Sequence, residues 1–393
     1  MTTLYRDGAY ADGSGPELAR HVSILVHDDC VAWMGPTGEE PPLAPDTRVV
    51  DASGCTIVPG LVDSHSHLTL PGGAHWIERG LDPPEELLRV AEHNARLMRA
   101  AGIRWARDVG SVRAVDPEDG RERALALGLR DRWAGQRAYP YVRAAGTWLT
   151  RAGSLPDGLS IAVDDGDGLL AAVRGQLEDG ADLVKLYLDG PDRDLAPFST
   201  AEVAAAVAAA HGRDARVTAH SSTLCGARVG VDAGVDSLEH GFELDADLTA
   251  TMAERHIALV STLAVFSSWE SFASTTGIER FSEPAARARI AARRDRARES
   301  VGLAQRAGVL IAAGSDFGGG SLRANQLAWE VECLVDAGLE PYQALAAATR
   351  NGGRLLGDPD AGVLRPGGPA DLVLVHGDPL SDPSALWRVY LVH

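Results

Sequence analysis

Six residues carry the chemistry that this sequence can do. His65 and His67 close the run VDSHSH, two positions apart. On a strand, positions i and i+2 face the same side. Two neutral imidazoles so placed can ligate one metal ion. An HxH alone is a common coincidence. It gains weight because Lys185 lies in the apolar run VKLY, His220 ends VTAH, His240 ends SLEH and Asp316 ends AAGSD. Of the 12 histidines, only these four follow a buried-looking strand run. Lys185 is also the sole lysine, beside 36 arginines. The codon bias of a GC-rich genome accounts for the rarity of lysine but not for where this one sits. Five metal-capable groups and one amine, brought together, would make a metal-binding centre.

Bringing them together requires strands that end side by side. The runs TIVPGLVDSHSH, GIRWARDVG, AYPYVRAAG, ADLVKLYLDG, ARVTAHS, DSLEHG, IALVSTLAVF and VLIAAGSD supply eight strand candidates. Helical patterns separate them. PPEELLRVAEHNARLMRAAG opens with proline and acids and stops at Gly102, Ser199-x-x-Glu202 reads as a capping box, and Glu283–Gly308 as a long Arg-rich helix. The alternation predicts an α/β chain with a (β/α)8 TIM barrel over residues 58–362. Chemistry in that fold sits at the C-terminal ends of the strands. The stretches 146–166, 189–198 and 267–282 are expected to be non-helical loops at the same face. Residues 1–57 and 363–393 are strand-rich, with a hairpin around Asp28-Asp29, and predict a small β-sandwich domain built from both termini.

Composition narrows the partners. With 393 residues, 45% hydrophobic and 23% charged, the chain can build a large core. Against 37 basic residues stand 55 acidic ones, a formal net charge of −18, which argues against nucleic acid or an anionic membrane surface. The segment RARIAARRDRARES is accordingly expected to be a solvated face paired with acids. Four cysteines, Cys30, Cys55, Cys225 and Cys333, form no CxxC pair and point to a reducing compartment. No apolar run is long enough to span a bilayer, and the N-terminus has no basic-then-apolar signal. A cytoplasmic protein with a small-molecule or peptide substrate is expected, its oligomeric state left open.

The motifs VPGLVDSHSHL, RDVG, VKLY, VTAHS, GVDSLEHG, AAGSDFG and ADLVLVHGDPL resemble the amidohydrolase superfamily, in its metal-dependent peptidase and imidazolonepropionase-like branch. The resemblance runs from about Ser23 to Pro379. It implies the barrel, the β-sandwich and one or two Zn2+ ions. Carried over, His65, His67 and Asp316 would hold the more buried ion, and His220 and His240 the second. Lys185 would bridge both as a carbamate. An amine that loses its proton can add CO2, whereas a guanidinium stays protonated. The implied reaction is amide hydrolysis by metal-activated hydroxide, with Asp316 serving as base and then as acid toward the leaving amine.

Other residues are weaker candidates. Arg143, Arg151 and Arg323 could clamp a substrate carboxylate, and Trp148 and Tyr187 could line its pocket. Asp108 and the Gly318–Gly320 turn read as structural. Glu239 precedes His240, and strand alternation turns it away from the site, again a structural role. Two loops depart from dipeptidase-like relatives: Leu188-Asp189-Gly190 stands for Ser-Gly-Gly, and Ala152-Gly153-Ser154 for Gly-Gly-His. The metal core is kept while the substrate end differs. The first reading is cleavage of a peptide, dipeptide or N-acyl amino acid amide, including a specialised peptide-trimming step in natural-product biosynthesis of the bottromycin type. The second is a mononuclear cyclic amide or amidine hydrolase or deaminase, imidazolonepropionase-like, with Lys185 unmodified. The third, a non-catalytic assembly protein on the same fold, is disfavoured by the complete ligand set.

Overall fold

The computed structural model describes residues 1–393. Its middle is α/β. Strands Leu61–Ser66, Ile103–Asp108 and Tyr141–Ala144 form one parallel sheet. Strands Leu183–Tyr187, Arg216–Ser221, Ser237–His240, Ala258–Ser261 and Ile311–Ala313 follow one another in a second, which Trp148–Arg151 and Ser160–Val163 extend at its near edge. Isolated parallel bridges, Ala145 to Leu183 and Ser66 to Phe317, connect the two sheets at both sides. Several of these strands are buried from end to end, as parallel strands covered on both faces are.

Helices cover the strands through spaced apolar faces. In Pro84–Ala100, Leu87, Leu88, Ala91, Ala95 and Met98 recur three and four apart and are buried. Ser199 and Glu202 form the expected capping box at the start of Thr200–His211. The Arg-rich helix spans Pro284–Ala307 and stops at Gly308, which takes the left-handed conformation.

Two expected loops carry regular structure. The 146–166 stretch contains the short strands named above. The 267–282 stretch is partly helical, in Ala264–Phe272 and Glu279–Ser282. Val265, Phe266, Trp269 and Phe272 give the first of these an apolar face that intervening serines mask in sequence.

The termini meet in one seven-stranded sheet of Thr2–Tyr10, Ala19–His27, Cys30–Pro36, Arg48–Asp51, Cys55–Pro59, Leu372–His376 and Val389–Val392. Strand alternation divides its burial. Leu372 and Leu374 join Ile24, Val26 and Ile57 in a small separate core, while Val373 and Val375 join the large one. Arg104 reinforces that seam. It is fully buried, its Nε donates to Asp371 at 3.0 Å, and its Nη1 donates to the carbonyls of Arg137 and Tyr139. No helix is long and apolar enough to cross a membrane.

Candidate metal centre

The strand ends deliver His65, His67, Lys185, His220, His240 and Asp316 to one cavity of about 240 Å³. All but His220 are buried. Each imidazole is tied back through one ring nitrogen. His65 Nδ1 donates to Glu239 at 2.6 Å, and His67 Nδ1 donates to the Gly110 carbonyl at 2.8 Å. His240 Nδ1 engages the Thr262 hydroxyl at 2.8 Å, and His220 Nε2 donates to Asp189 at 3.0 Å. The other nitrogen of each ring is left without a protein acceptor. Such ties fix tautomer and ring orientation, the arrangement that readies imidazole to bind a metal. Burial and the charge of Lys185 hold His65 well below its ordinary pKa, and burial and His220 do the same for His240. Both are therefore neutral, the ligating form.

Asp316 and Lys185 complete the set. Asp316 Oδ1 lies 3.5 Å from His65 Nε2 and 3.4 Å from His67 Nε2. One ligand atom each from His65, His240 and Asp316 falls within 4.8 Å of the others. Gly319 and Gly320 permit this approach: a Cβ at Gly319 would sit 2.6 Å from His67 Cδ2, and one at Gly320 2.6 Å from Asp316 Oδ2. The glycine run is thus a tight turn packed on the site. Lys185 Nζ is buried with no hydrogen-bond partner. Burial lowers its pKa to about 8, assisted by Arg107 and opposed by Glu239 and Asp316. An orphaned amine among neutral imidazoles and a carboxylate suits a site built around one or more cations.

Residues 56–392 match the sequence model of the amidohydrolase family. The chain belongs to the amidohydrolase family. An uncharacterised protein of Mycobacterium tuberculosis is 34% identical over 366 residues, 92% of this chain and 89% of that protein. Ochratoxinase of Aspergillus niger is 26% identical over 406 residues, 97% of this chain and 82% of that enzyme. The crystal structure of a Xaa-Pro dipeptidase with methionine bound in its active site is similar over 100% of this chain and 98% of its own, with a TM-score of 0.83 and 25% identity. As an amidohydrolase, the protein is a hydrolase of carbon–nitrogen bonds.

In this amidohydrolase, Glu239 does not turn away from the site, contrary to the alternation argument. His240 has φ +69°, a left-handed conformation, so the strand's two-residue alternation breaks there. Glu239 and His240 then reach the same centre. Glu239 accepts from His65, from Arg107 at 2.6 Å, from Ser237 at 3.1 Å and from Thr218. Burial would raise its pKa, but Arg107 and Lys185 hold it down as a carboxylate. Asp108 is structural, accepting from the backbone of Leu68 at 2.7 Å and Gly110 at 3.0 Å.

The expected substrate residues divide. Trp148 and Tyr187 line the cavity, Trp148 tilted against His67 and Tyr187 stacked 4.0 Å from His220. The three arginines lie elsewhere, each drawn to a nearer partner. Arg143 pairs with Asp358 at 3.3 Å, Arg151 faces Glu202 at 3.7 Å and lies over Phe198, and Arg323 donates to the Pro71 carbonyl at 2.8 Å. Sequence reasoning missed Thr262, Asp189 and Arg107 as residues that orient the imidazoles and Glu239. Thr262 directly follows the strand Ala258–Ser261, and Asp189 follows Leu183–Tyr187 by two residues; that placement was their only signal.

Proposed function

We propose that this protein is a metal-dependent amidohydrolase that cleaves the amide bond of a peptide, dipeptide or N-acyl amino acid. The observation that carries the reading is the set of four imidazoles, each anchored through one nitrogen, with the Nε2 atoms of His65 and His67 directed at Asp316 and an unpartnered lysine in the same cavity. The bridges between the two parallel sheets support a closed (β/α)8 barrel around it. Residues His65, His67 and Asp316 would hold one zinc ion, and His220 and His240 a second, with Lys185 between them as a carbamate. Bound there, the ions supply Lewis acidity for the scissile carbonyl and make water a nucleophile near neutral pH.

The chain's own groups then do the following. Burial lowers the Lys185 pKa to about 8, which leaves a fraction of Nζ as free amine near neutral pH; that amine adds its lone pair to CO2 and releases a proton. Its negative product takes the amine's place beside the imidazoles. Asp316 accepts a proton from the attacking water and hands it to the nitrogen of the departing amine. Glu239 keeps the His65 proton on Nδ1, so Nε2 stays available. Trp148, Tyr187 and Trp76 wall the cavity against bulk water.

The tightest donor cluster contains only His65, His240 and Asp316, which favours a mononuclear cyclic amide hydrolase or deaminase as the second reading. Metal counting on wild type and Lys185→Ala separates the two. A binuclear enzyme loses a metal and most activity, and 13C-bicarbonate NMR shows a carbamate in wild type only. One metal and a bare amine in wild type overturn the carbamate. Screening zinc-loaded protein against N-acyl amino acid, dipeptide and cyclic-amide libraries tests the substrate class.

A further inference from the structure

The metal cavity shares Trp76, Ile77 and Gly319 with a second one of about 560 Å³. The wall of the larger cavity carries Arg193, Arg280, Arg289, Arg293 and Arg296. One carboxylate answers them: Glu243 meets Arg193 at 2.8 Å and Arg296 at 3.4 Å. Arg280 donates to the Ala74 carbonyl. Arg289 and Arg293 form no ion pair. Arg293 is half-buried, its guanidinium 5.9 Å from the ring of Phe242 and 6.0 Å from that of Phe266. Elsewhere on the same helix, arginines find acids: Arg294 pairs with Glu270 at 2.6 Å and Arg298 with Asp336 at 3.1 Å.

A desolvated cation without a counter-ion is costly, and this chain has 55 acidic residues from which to supply one. That cost falls on Arg293, which Asp189 and Glu243 influence only from beyond ion-pair distance; with four exposed arginines around it, the wall is a place where an anionic ligand is stabilising. The spacing indicates which kind. Arg289, Arg293 and Arg296 lie along one helix over about 10 Å of its length, while Arg193 and Arg280 come from other segments. A single phosphate is too small to meet groups so spread. A chain bearing several carboxylates can meet them.

We infer that the larger cavity binds an acidic peptide segment of the substrate, beside the amide bond cleaved at the neighbouring centre. This rests on the amide-hydrolase reading for the cleavage, though not for the binding. The binding test uses the full chain carrying Asp316→Asn, which removes turnover, and calorimetry with acetyl-Gly-Glu-Glu-Glu-amide and its Gln analogue. The Glu peptide should bind about tenfold more tightly than the Gln peptide, a difference that falls with added salt. Arg293→Met should abolish the preference, and Arg289→Met, at an exposed position, should weaken it. Arg213→Met removes the same charge from a remote exposed site near Glu178 and should leave it unchanged. Equal binding of the two peptides, or equal effects of Arg293→Met and Arg213→Met, overturns the inference. So does displacement of the Glu peptide by equimolar inorganic phosphate. With active enzyme, equal hydrolysis of acidic and neutral amides refutes the acidic subsite alone. Acid-selective binding with no amide cleaved refutes the hydrolytic reading alone.

Discussion

Replacing Glu239 with glutamine tests how the site keeps its first imidazole ready. Glu239 is fully buried, with one oxygen on Arg107, Ser237 and Thr218 and the other 2.6 Å from His65 Nδ1. Arginine can only donate, so the glutamine carbonyl must stay on the Arg107 side. Its NH2 then faces His65 Nδ1 and must donate to it. That moves the imidazole proton to Nε2, the nitrogen nearest Asp316, and removes its lone pair from ligation. Zinc affinity should fall about 10- to 100-fold, or about 1.4–2.8 kcal/mol. The metal-free protein should lose about 1–3 kcal/mol, because Arg107 keeps a neutral acceptor. Glu239→Ala strands the Arg107 charge and should cost about 3–5 kcal/mol. Zinc competition against a chromophoric chelator reads the first effect, and urea unfolding of metal-free protein reads the second. If Glu239→Gln is destabilised yet binds zinc as wild type does, Glu239 is only a counter-ion for Arg107 and the tautomer argument fails.

Three further outcomes follow from contacts described above or close to them. Thr262→Val removes the hydroxyl at His240 Nδ1 and should weaken zinc binding about tenfold or more, with little change in unfolding. Glu330 is buried, accepts from Ser261 at 2.6 Å and from the Ala264 backbone at 2.7 Å, and is pushed by burial to about 8 from its ordinary 4.5. The folded protein keeps a proton there that the unfolded chain releases, so this group's contribution falls as pH rises between those values, by about 1.4 kcal/mol per unit at most. Glu330→Gln should flatten that slope in urea unfolding measured across neutral pH, and an unchanged slope would dismiss Glu330 as its source. Arg104→Met leaves Asp371 buried without its closest partner and should cost about 3–5 kcal/mol. Adding Asp371→Leu should restore most of it, and failure to do so would mean that the seam depends on Arg104's carbonyl contacts instead.

Some of this was readable from sequence and some was not, for local reasons. A strand run and the residue ending it are adjacent in the chain, so VDSHSH, VTAH, SLEH and AAGSD could be read together. Glu239 could not, because the alternation that places its side chain fails at the left-handed His240. The Arg-rich helix shows composition but not which face meets what. Arg294 and Arg298 found acids as expected, while Arg289 and Arg293 face a cavity formed with segments far away in sequence. Arg143, Arg151 and Arg323 were candidates by residue type alone, and nothing nearby in the chain reveals that Asp358, Glu202 and the Pro71 carbonyl reach them first.

The solitary lysine also decides what the rest of the surface can undergo. Every other side-chain cation is a guanidinium, so the exterior offers no ε-amine to acetylation, methylation or ubiquitin conjugation. The chain's one ε-amine, Lys185 Nζ, is buried without a hydrogen-bond partner. Reagents directed at ε-amines should therefore leave the outer surface of the folded protein unlabelled. The one amine inside is open only to molecules small enough to enter a cavity of about 240 Å³.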